Sequence, residues 1–421
     1  MIRKIGFIVI CLAACSLHAQ NGTVSPYSYF GIGDLRSGST IENQMMGGLS
    51  LYTDSIHLTL KNPAGYGKLR LTTYTAGLSH REISLNSFTD QEKTSVTNME
   101  YLAIGFPLGP KIGAGLGLRP FSSVGYDVLQ NTLDPSGNDV TNLYSGSGGI
   151  NQVFLSVGFE LAKDLNLGAT MNFNFGTLES EKIQRIDGLQ FGTRETQGSK
   201  INGWDFVYGL TYSPTIKDKY TLYTSAVVNT QINLLSENTQ TFGSFSQANG
   251  STIEEINVNL QEQGLANTEL KIPTIATFGL GFGEEKKWFM GAEYSFQQLS
   301  TFENRFLQIQ NQEYKDASSY ALGAHFIPDY TSFGSLLKRV TYRAGIRYDM
   351  TGIVVNDKEI DNFGITFGLG LPLGGSFSNL NLGFEWGKRG TTAADLIEEK
   401  YFRVNIGLSF NDRWFQKRKI N

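Results

Sequence analysis

Long stretches of this 421-residue chain alternate between apolar residues and small or polar ones. Near the C-terminus, apolar side chains occupy every second position of 402–410, and the same pattern occurs in 363–371 and 380–386. Residues two apart in a strand share a face, so each stretch is predicted to be a strand with one apolar face. The pattern predicts fourteen strands, at roughly 70–82, 98–108, 111–125, 150–162, 165–182, 202–215, 219–233, 269–283, 287–301, 316–327, 339–353, 360–371, 377–388 and 400–411.

The connections between these segments differ in length. Short turns are predicted at 109–110, 162–164, 216–218, 283–286 and 372–376, and long polar loops at 126–149, 183–201, 234–268 and 302–315. The connection 328–338 is longer than the other turns. Short turns at one end and long loops at the other are typical of an outer-membrane barrel with both termini in the periplasm.

Alternation alone also fits a soluble sandwich whose apolar face is a protein core. Most of the segments, however, are long enough for a tilted membrane crossing. The sequence therefore predicts an all-β fold, a transmembrane antiparallel β-barrel of about 14 strands. Within the longest loop, 252–267 is interpreted either as a short helix or as a solvated loop.

Composition supports a secreted β protein. The chain has 48 glycines, 28 phenylalanines and 19 tyrosines but only 18% charged residues, which argues against disorder. Residues 1–20 are predicted to be a signal peptide, with a charged start and an apolar stretch too short to span a bilayer. A signal peptide followed by a predicted barrel predicts that the chain lies in the outer membrane of a Gram-negative bacterium.

Both cysteines of the chain, Cys11 and Cys15, lie in the predicted signal peptide. The exported chain is therefore predicted to have no disulfide. The sequence 12–15 resembles a lipoprotein cleavage box, so two readings stay open: lipid attachment at Cys15, or cleavage near Ala19 and Gln20. The net charge of −4 comes without a basic stripe, which argues against nucleic acid as a partner.

The last predicted strand contains polar Asn405, then Gly407 and aromatic Phe410. This order resembles the assembly signal that the barrel-insertion machinery reads, which makes that machinery a predicted partner beside outer-membrane lipid. The basic stretch 412–421 is predicted to be a periplasmic tail.

Residues 21–69 precede the first strand and contain Gly47 and Gly48, followed by Asn62, Pro63 and Ala64. This order resembles the N-terminal hatch of the FadL/TodX family of outer-membrane transporters for hydrophobic compounds. The resemblance implies a fourteen-stranded barrel whose N-terminal plug segment fills the lumen. These five residues are its candidate plug and substrate positions, although an ordinary turn also explains Asn62 and Pro63.

The sequences 25–28 and 31–35 further resemble a Bacteroidetes subgroup related to PorV-like proteins, which are associated with type IX secretion. The predicted organisation is a signal peptide at 1–20, a plug at 21–69, the barrel at 70–411 and the tail at 412–421.

If the apolar faces point to lipid, several charged residues of the later strands point into the lumen. They fit either a site for an anionic headgroup or a structural ladder of ion pairs, and the ladder is favoured. The candidates are Glu293, Arg343, Arg347, Glu385 and Arg403, together with Asp349 and His325.

Catalysis has little support in the sequence. His57, His80 and His325 have no metal-ligand spacing and no adjacent nucleophile motif, so no enzyme activity, metal or cofactor is predicted. The predicted function is uptake of small, fatty-acid-like hydrophobic compounds through a plugged lumen. The alternative is a non-transporting, PorV-like partner or scaffold that binds proteins of a secretion or motility complex.

Overall fold

The computed structural model describes residues 22–306, 312–373 and 378–413, and these form one closed antiparallel barrel. The predicted signal peptide with Cys11 and Cys15 and most of the predicted tail lie outside the described residues. Each barrel strand pairs with its neighbours in sequence, and the first strand pairs with the last to close the barrel. The strands are β1 Thr72–Asn86, β2 Gln91–Gly109, β3 Ile112–Leu133, β4 Asp139–Ala162, β5 Leu165–Ile186, β6 Phe191–Tyr212, β7 Tyr220–Asn229 continued by Ile232–Ser246, β8 Thr252–Asn257, Asn267–Ile272 and Ile275–Glu284, β9 Trp288–Gln297, β10 Gln312–Tyr314 continued by Ala317–Phe326, β11 Thr341–Val355, β12 Lys358–Leu373, β13 Ser378–Arg389 and β14 Glu398–Asp412.

The strands alternate between an exposed apolar outer face and a small or polar lumen face. In β14, Ile406 and Phe410 point outward, whereas Asn405 and Ser409 are buried in the lumen. A lipid bilayer accepts the apolar face, and a closed barrel leaves no unpaired strand edge in it. The predicted fourteen-stranded transmembrane barrel is confirmed.

Helical segments are few and short. They are Pro26–Tyr29, Ile41–Gln44, Pro63–Lys68, Leu299–Thr301, Leu336–Arg339 and Ala393–Asp395. Within the described ranges, no helix has the length and apolar character needed to cross a membrane.

Three of the predicted long loops are largely strand. The segment 126–149 is the tip of the β3–β4 hairpin, and only 134–138 separates the two strands. The segments 183–201 and 234–268 likewise extend β5, β6, β7 and β8. Beyond the bilayer both faces of a strand meet polar surroundings, so the alternation that marks a strand is lost. The proposed helix within 252–267 is also wrong, because Thr252–Asn257 pairs with Thr241–Phe245 as a strand.

The N-terminal segment 22–71, called the plug from here on, fills the lumen. It begins near the long-hairpin end, where Asp34–Leu35 pairs with Ser122–Ser123 of β3. It ends at the short-turn end, where β1 starts. Apolar plug side chains pack against the wall in one cluster, which contains Ile41, Met45, Leu58, Leu60, Tyr66 and Leu69 of the plug with Tyr101, Ala103 and Phe154 of the wall.

The wall of the barrel is irregular beside β8. Strand β9 ends at Gln297, whereas the β8 segment Asn267–Ile272 continues and pairs with β7. Phe302, from the connection that follows β9, packs with Leu270 and Ile272 at this level. An apolar surface therefore lines the lumen above the plug on this side.

Candidate functional site

The plug turn at Gly47 and Gly48 lies directly against the backbone of the barrel wall. Gly47 and Gly48 have φ values of +70° and +86°, in the left-handed region that favours glycine. A side chain on Gly47 would come within 2.8 Å of the carbonyl oxygens of Leu322 and Ile346. The Gly47 amide donates to Thr366 Oγ1 at 3.2 Å. The two candidate glycines thus form the turn at which the plug backbone touches the wall.

The sequence allowed two interpretations of Asn62, Pro63 and Ala64, an ordinary turn and a plug element, and the structure has features of both. Asn62 caps the short helix Pro63–Lys68, because its Oδ1 accepts a hydrogen bond from the Ala64 amide at 3.1 Å. The same turn is buried against the wall, where Pro63 faces Gly168. It is therefore a local turn that also seats the plug on β5.

Ion pairs hold the upper plug. Asp34 pairs with Arg389 at 2.9 Å and with Arg81 at 3.5 Å, and Arg36 pairs with Glu100 at 2.6 Å. Burial would raise the pKa of Asp34, but the guanidinium groups of Arg389 and Arg81 outweigh it and hold that pKa below its usual range. The carboxylate is charged at neutral pH and binds the plug to β13 and β1, the two strands that flank β14.

Farther along the plug, hydrogen bonds that involve carboxylates also hold it to the wall. Glu42 of the plug accepts from Asn381 and from Ser409, each at 2.8 Å. The backbone amide and hydroxyl of Ser50 donate to the carboxylate of Glu293, at 2.8–2.9 Å. Hydrogen bonds to charged groups are the stronger class, so the plug is well anchored at this level too.

The predicted lumen charges do lie in the lumen, and the structure brings three of the five together. Glu385 pairs with Arg347 at 2.8 Å and with Arg403 at 3.1 Å, and Arg347 also pairs with Asp349 at 2.6 Å. This group is a ladder of ion pairs on the inner wall.

The remaining candidates lie elsewhere. Glu293 is bonded to Ser50 of the plug, and Arg343 donates to Asn381 at 3.0 Å. His325 packs against the rings of Tyr52 and Phe289. Of the assembly-signal residues, Asn405 is buried in the lumen, Gly407 lies against Ile41 of the plug, and Phe410 is exposed on the outer face.

Two connected cavities lie above the plug. One, of about 340 Å³, is lined mainly by charged groups and includes Lys61, Glu293 and Arg347. The other, of about 390 Å³, shares those three residues and continues along the apolar surface beside β8. Its apolar lining includes Ile32, Val227, Ile272, Ile275, Phe302 and Ile353.

A third cavity, of about 370 Å³, lies on the other side of the plug and is lined by Asp54, His57 and His325. Plug residues Glu42 and Met46 line this cavity, whereas Gln44 and Gly47 line the charged one. The plug turn therefore separates the two sides of the lumen.

Lys61 differs from the other cations of the upper lumen. Among the hydrogen bonds and ion pairs of the described residues, its ammonium group takes part in none, although it faces both upper cavities. Lys61 is exposed to the cavity, but its enclosure by the barrel still lowers its pKa, and the carboxylates of Glu293 and Asp349 oppose that shift only in part. Lys61 is thus a cation in a cavity without a fixed partner.

Sequence reasoning missed several paired lumen residues, namely Asp34, Arg36, Arg81, Glu100, Arg119 and Arg389, and it also missed the unpaired Lys61. For the wall residues a signal was present: Arg81 and Arg119 alternate with lipid-facing side chains just as the later charges do. For the plug residues no periodic signal exists, because the plug is not a regular strand.

No cluster of three or more His, Cys, Asp or Glu side chains arranged for a metal ion occurs in the part of the chain that the structure describes.

Several solved structures share the fold of this barrel. The toluene transporter TodX of Pseudomonas putida matches with a TM-score of 0.59 at 15% identity, over 91% of this chain and 100% of that one. The toluene transporter TbuX of Ralstonia pickettii matches with a TM-score of 0.57 at 14% identity, over 89% and 98%. A FadL homologue of Pseudomonas aeruginosa matches with a TM-score of 0.55 at 12% identity, over 90% and 98%.

These TM-scores establish a shared fold, that of the FadL/TodX-type barrel, and the predicted outer-membrane location is confirmed. Two of these three structures are described as toluene transporters, in agreement with the prediction that the chain is not an enzyme. No curated protein matches the sequence. The sequence model of one family, described as BamG, matches residues 1–421. Because that match covers the whole chain, the protein belongs to the BamG family.

Proposed function

We propose that this barrel takes up small hydrophobic compounds that carry one acidic group, such as fatty acids. The observation that carries the proposal is Lys61, an unpaired ammonium group at the junction of a charged and an apolar cavity. An acyl chain would lie along the apolar surface beside β8, and its carboxylate would reach Lys61. The combination of an apolar cavity with a few polar groups is typical of small-molecule sites.

The charge of the cavity favours a monoanion. Seven basic and six acidic side chains line the charged cavity, which leaves one positive charge in excess. The basic residues are Arg36, Lys61, Arg81, Arg119, Arg347, Arg389 and Arg403, and the acidic ones are Asp34, Glu100, Asp205, Glu293, Asp349 and Glu385. Since most of the arginines have fixed acceptors, a ligand carboxylate would find its partner in Lys61.

The size of the site also fits. The apolar cavity of about 390 Å³ lies within the range of roughly 300–1,000 Å³ found for small-molecule sites. Phe302 and Ile272 line it and belong to one apolar cluster, so a bound chain would contact apolar side chains on the β8 side.

The proposal is tested by comparing dodecanoate with dodecanol, which has the same chain and no charge. Binding to the purified barrel is measured by calorimetry for the unaltered chain, for Lys61→Met and for Lys217→Met, a control in an exposed turn. A charge-assisted hydrogen bond contributes about 1.5 kcal/mol or more, which is roughly tenfold in affinity. We expect Lys61→Met to lose about tenfold in dodecanoate affinity and to keep its dodecanol affinity. Equal affinity of the unaltered chain for the two compounds, or binding of neither, would contradict the proposal.

A second candidate is a non-transporting scaffold for proteins of a secretion or motility complex, as in the PorV-like proteins of the Bacteroidetes subgroup. The observation that favours it is the plug itself, which is bonded to the wall at several levels and separates the upper cavities from the lower one. A passage through the lumen would require breaking these contacts.

A disulfide that fixes the plug to the wall distinguishes transport through the lumen from a scaffold function. Residues 21–421 contain no cysteine. In Met46→Cys with Gly323→Cys, the two Cβ atoms start 2.8 Å apart, slightly closer than the roughly 3.5–4.5 Å of a disulfide. Dodecanoate uptake by cells that is lost on oxidation of this pair and restored by reduction supports transport past the plug. An unaltered chain that never accelerates uptake, in a strain lacking other routes, favours the scaffold.

A further inference from the structure

The connection between β10 and β11 is unusual among the turns of its end of the barrel. Residues 327–340 form it, whereas 110–111, 163–164 and 285–287 suffice to reverse the chain elsewhere. It contains the short helix Leu336–Arg339 and exposes large apolar side chains. Phe333 is fully exposed, and Tyr330, Leu336 and Leu337 are exposed as well. A turn that only faced water would gain nothing from so much apolar surface.

This turn lies beside an aromatic row on the outer face of the barrel. Trp288, Phe326 and Tyr342 are direct neighbours across β9, β10 and β11, at the last level before the turns, and all three point outward. Aromatic residues at this height are typical of the boundary between the bilayer core and its headgroups. The row therefore marks the membrane interface at the short-turn end.

A hydrogen bond attaches the turn to that row. The Tyr342 hydroxyl donates to the Leu337 carbonyl oxygen at 3.2 Å. Because the Tyr342 side chain is on the lipid-facing surface, this bond holds Leu337 at the outer wall and away from the barrel axis. Leu336 and Phe333, close by in the same turn, are thus placed at the edge of the bilayer.

The charges of the turn suit phospholipid headgroups. Lys338 is exposed next to Leu337, and no side-chain partner for it occurs among the described residues. The acid Asp329 is engaged within the turn, where its carboxylate accepts from the amide of Thr331 at 3.1 Å and from its hydroxyl at 2.8 Å. Lys286, a second cation nearby, lies over the ring of Tyr330 and 3.9 Å from the carboxylate of Glu285.

We propose that the turn 327–340 is a membrane contact, in which Phe333, Leu336 and Leu337 enter the leaflet at the short-turn end. Lys338 then lies at the phosphate groups of that leaflet. This is the periplasmic leaflet in the orientation typical of outer-membrane barrels. The pairing of apolar side chains with an adjacent cation is how interfacial segments bind anionic lipid surfaces.

A single cysteine tests the proposal, since residues 21–421 contain none. Phe333→Cys is labelled with an environment-sensitive fluorophore, and the barrel is placed in nanodiscs of phosphatidylethanolamine and phosphatidylglycerol. The matched control is Ser136→Cys, in the exposed tip of the β3–β4 hairpin at the opposite end. We expect the label at 333 to be quenched by spin-labelled lipid and protected from aqueous iodide by at least fivefold relative to the label at 136.

Other outcomes overturn the proposal. Equal iodide quenching at the two positions would place the turn in water. Shielding that requires added outer-membrane proteins, without quenching by spin-labelled lipid, would identify a protein as its occupant.

Two further variants report on the anchoring contacts. Tyr342→Phe removes the bond to Leu337, and Lys338→Gln removes the cation. We expect both to increase iodide quenching at position 333, and Lys338→Gln to do so only when phosphatidylglycerol is present. Unchanged quenching in both variants would contradict the assigned contacts.

Discussion

Replacing Asp34 by asparagine tests how firmly the plug is held. The substitution keeps the shape of the side chain and removes the charge that pairs with Arg389 at 2.9 Å and with Arg81 at 3.5 Å. Removing one partner of a buried ion pair destabilises by about 3–5 kcal/mol. Asp34 borders a cavity that admits water, so we take the lower end, about 3 kcal/mol. This free energy corresponds to a rise of roughly 100-fold in the population with the upper plug detached.

The detached population is measured by the labelling of a covered cysteine. Ser123 is paired with Asp34 and buried beneath Gly22 of the plug, so in Ser123→Cys the thiol reacts with a maleimide only when this part of the plug lifts. When closing is faster than reaction, the labelling rate is proportional to the open population. We expect Asp34→Asn to label roughly 100-fold faster than the Ser123→Cys background alone.

The control is Asp218→Asn, which removes a carboxylate from an exposed turn and should leave the labelling rate unchanged. Heat-dependent migration in gels verifies that each variant forms a barrel. A rate within threefold of the background in a correctly folded Asp34→Asn variant would refute the reasoning. The plug would then be held by its glycine contacts and apolar packing, and the ion pairs would contribute little.

Four other outcomes follow from the same structure. The pKa of Asp34 is lowered in the folded protein, so its ion pairs stabilise the attached plug fully above the unfolded pKa of about 4, and this stabilisation is lost as the pH falls through the folded pKa. The Asp34→Asn effect on labelling should therefore be constant from pH 5 to 8 and shrink below about pH 4. Phe410→Asp, which places a charge on the lipid face of β14, should lower the amount of heat-modifiable barrel, whereas Ser136→Asp at a hairpin tip should not. Deletion of residues 21–60 should leave an inserted barrel with raised conductance in planar bilayers; unchanged conductance would mean that the plug does not close the pore. Epitope tags at 134–138 or 187–190 should bind antibody on intact cells, and binding only after permeabilisation would invert the assumed topology.

The number and order of the strands could be predicted because the bilayer imposes a simple rule. Residues such as Ile406 and Phe410 face lipid, and the residues between them face a crowded lumen, so period-two alternation is strong within the membrane. The strand ends could not be predicted in the same way. The third strand was expected at 111–125 and extends to Leu133, because beyond the bilayer no solvent distinguishes its two faces.

The candidate site was predictable only where it follows strand periodicity. Arg347, Glu385 and Arg403 were located in the lumen by alternation, but their mutual distances depend on the register between strands, which alternation does not provide. The contact partners of the plug residues could not be predicted from the sequence. Asp34 meets Arg389 across 355 residues of sequence, and no local pattern encodes such a contact. Lys61 lies outside any helix or strand, and only the three-dimensional structure shows that its ammonium group has no partner among the described residues.

The contacts between the plug and the last strand have a consequence for the order of assembly. Ser25 is bonded to Glu399, Ile41 rests on Gly407, and Glu42 is bonded to Ser409, so the first fifty residues meet β14 at three heights. The same strand forms the final seam with β1. If that seam formed around an empty lumen, wall charges such as Arg81 and Arg389 would lack their plug partner Asp34, and the plug would have to thread a closed ring. The geometry favours an order of assembly in which the plug stays unpaired until the C-terminal strand is in place. Filling of the lumen and closure of the seam then occur as one step. A late, long-range event of this kind makes barrel closure slow and leaves the plug exposed to proteases until the last strand has paired.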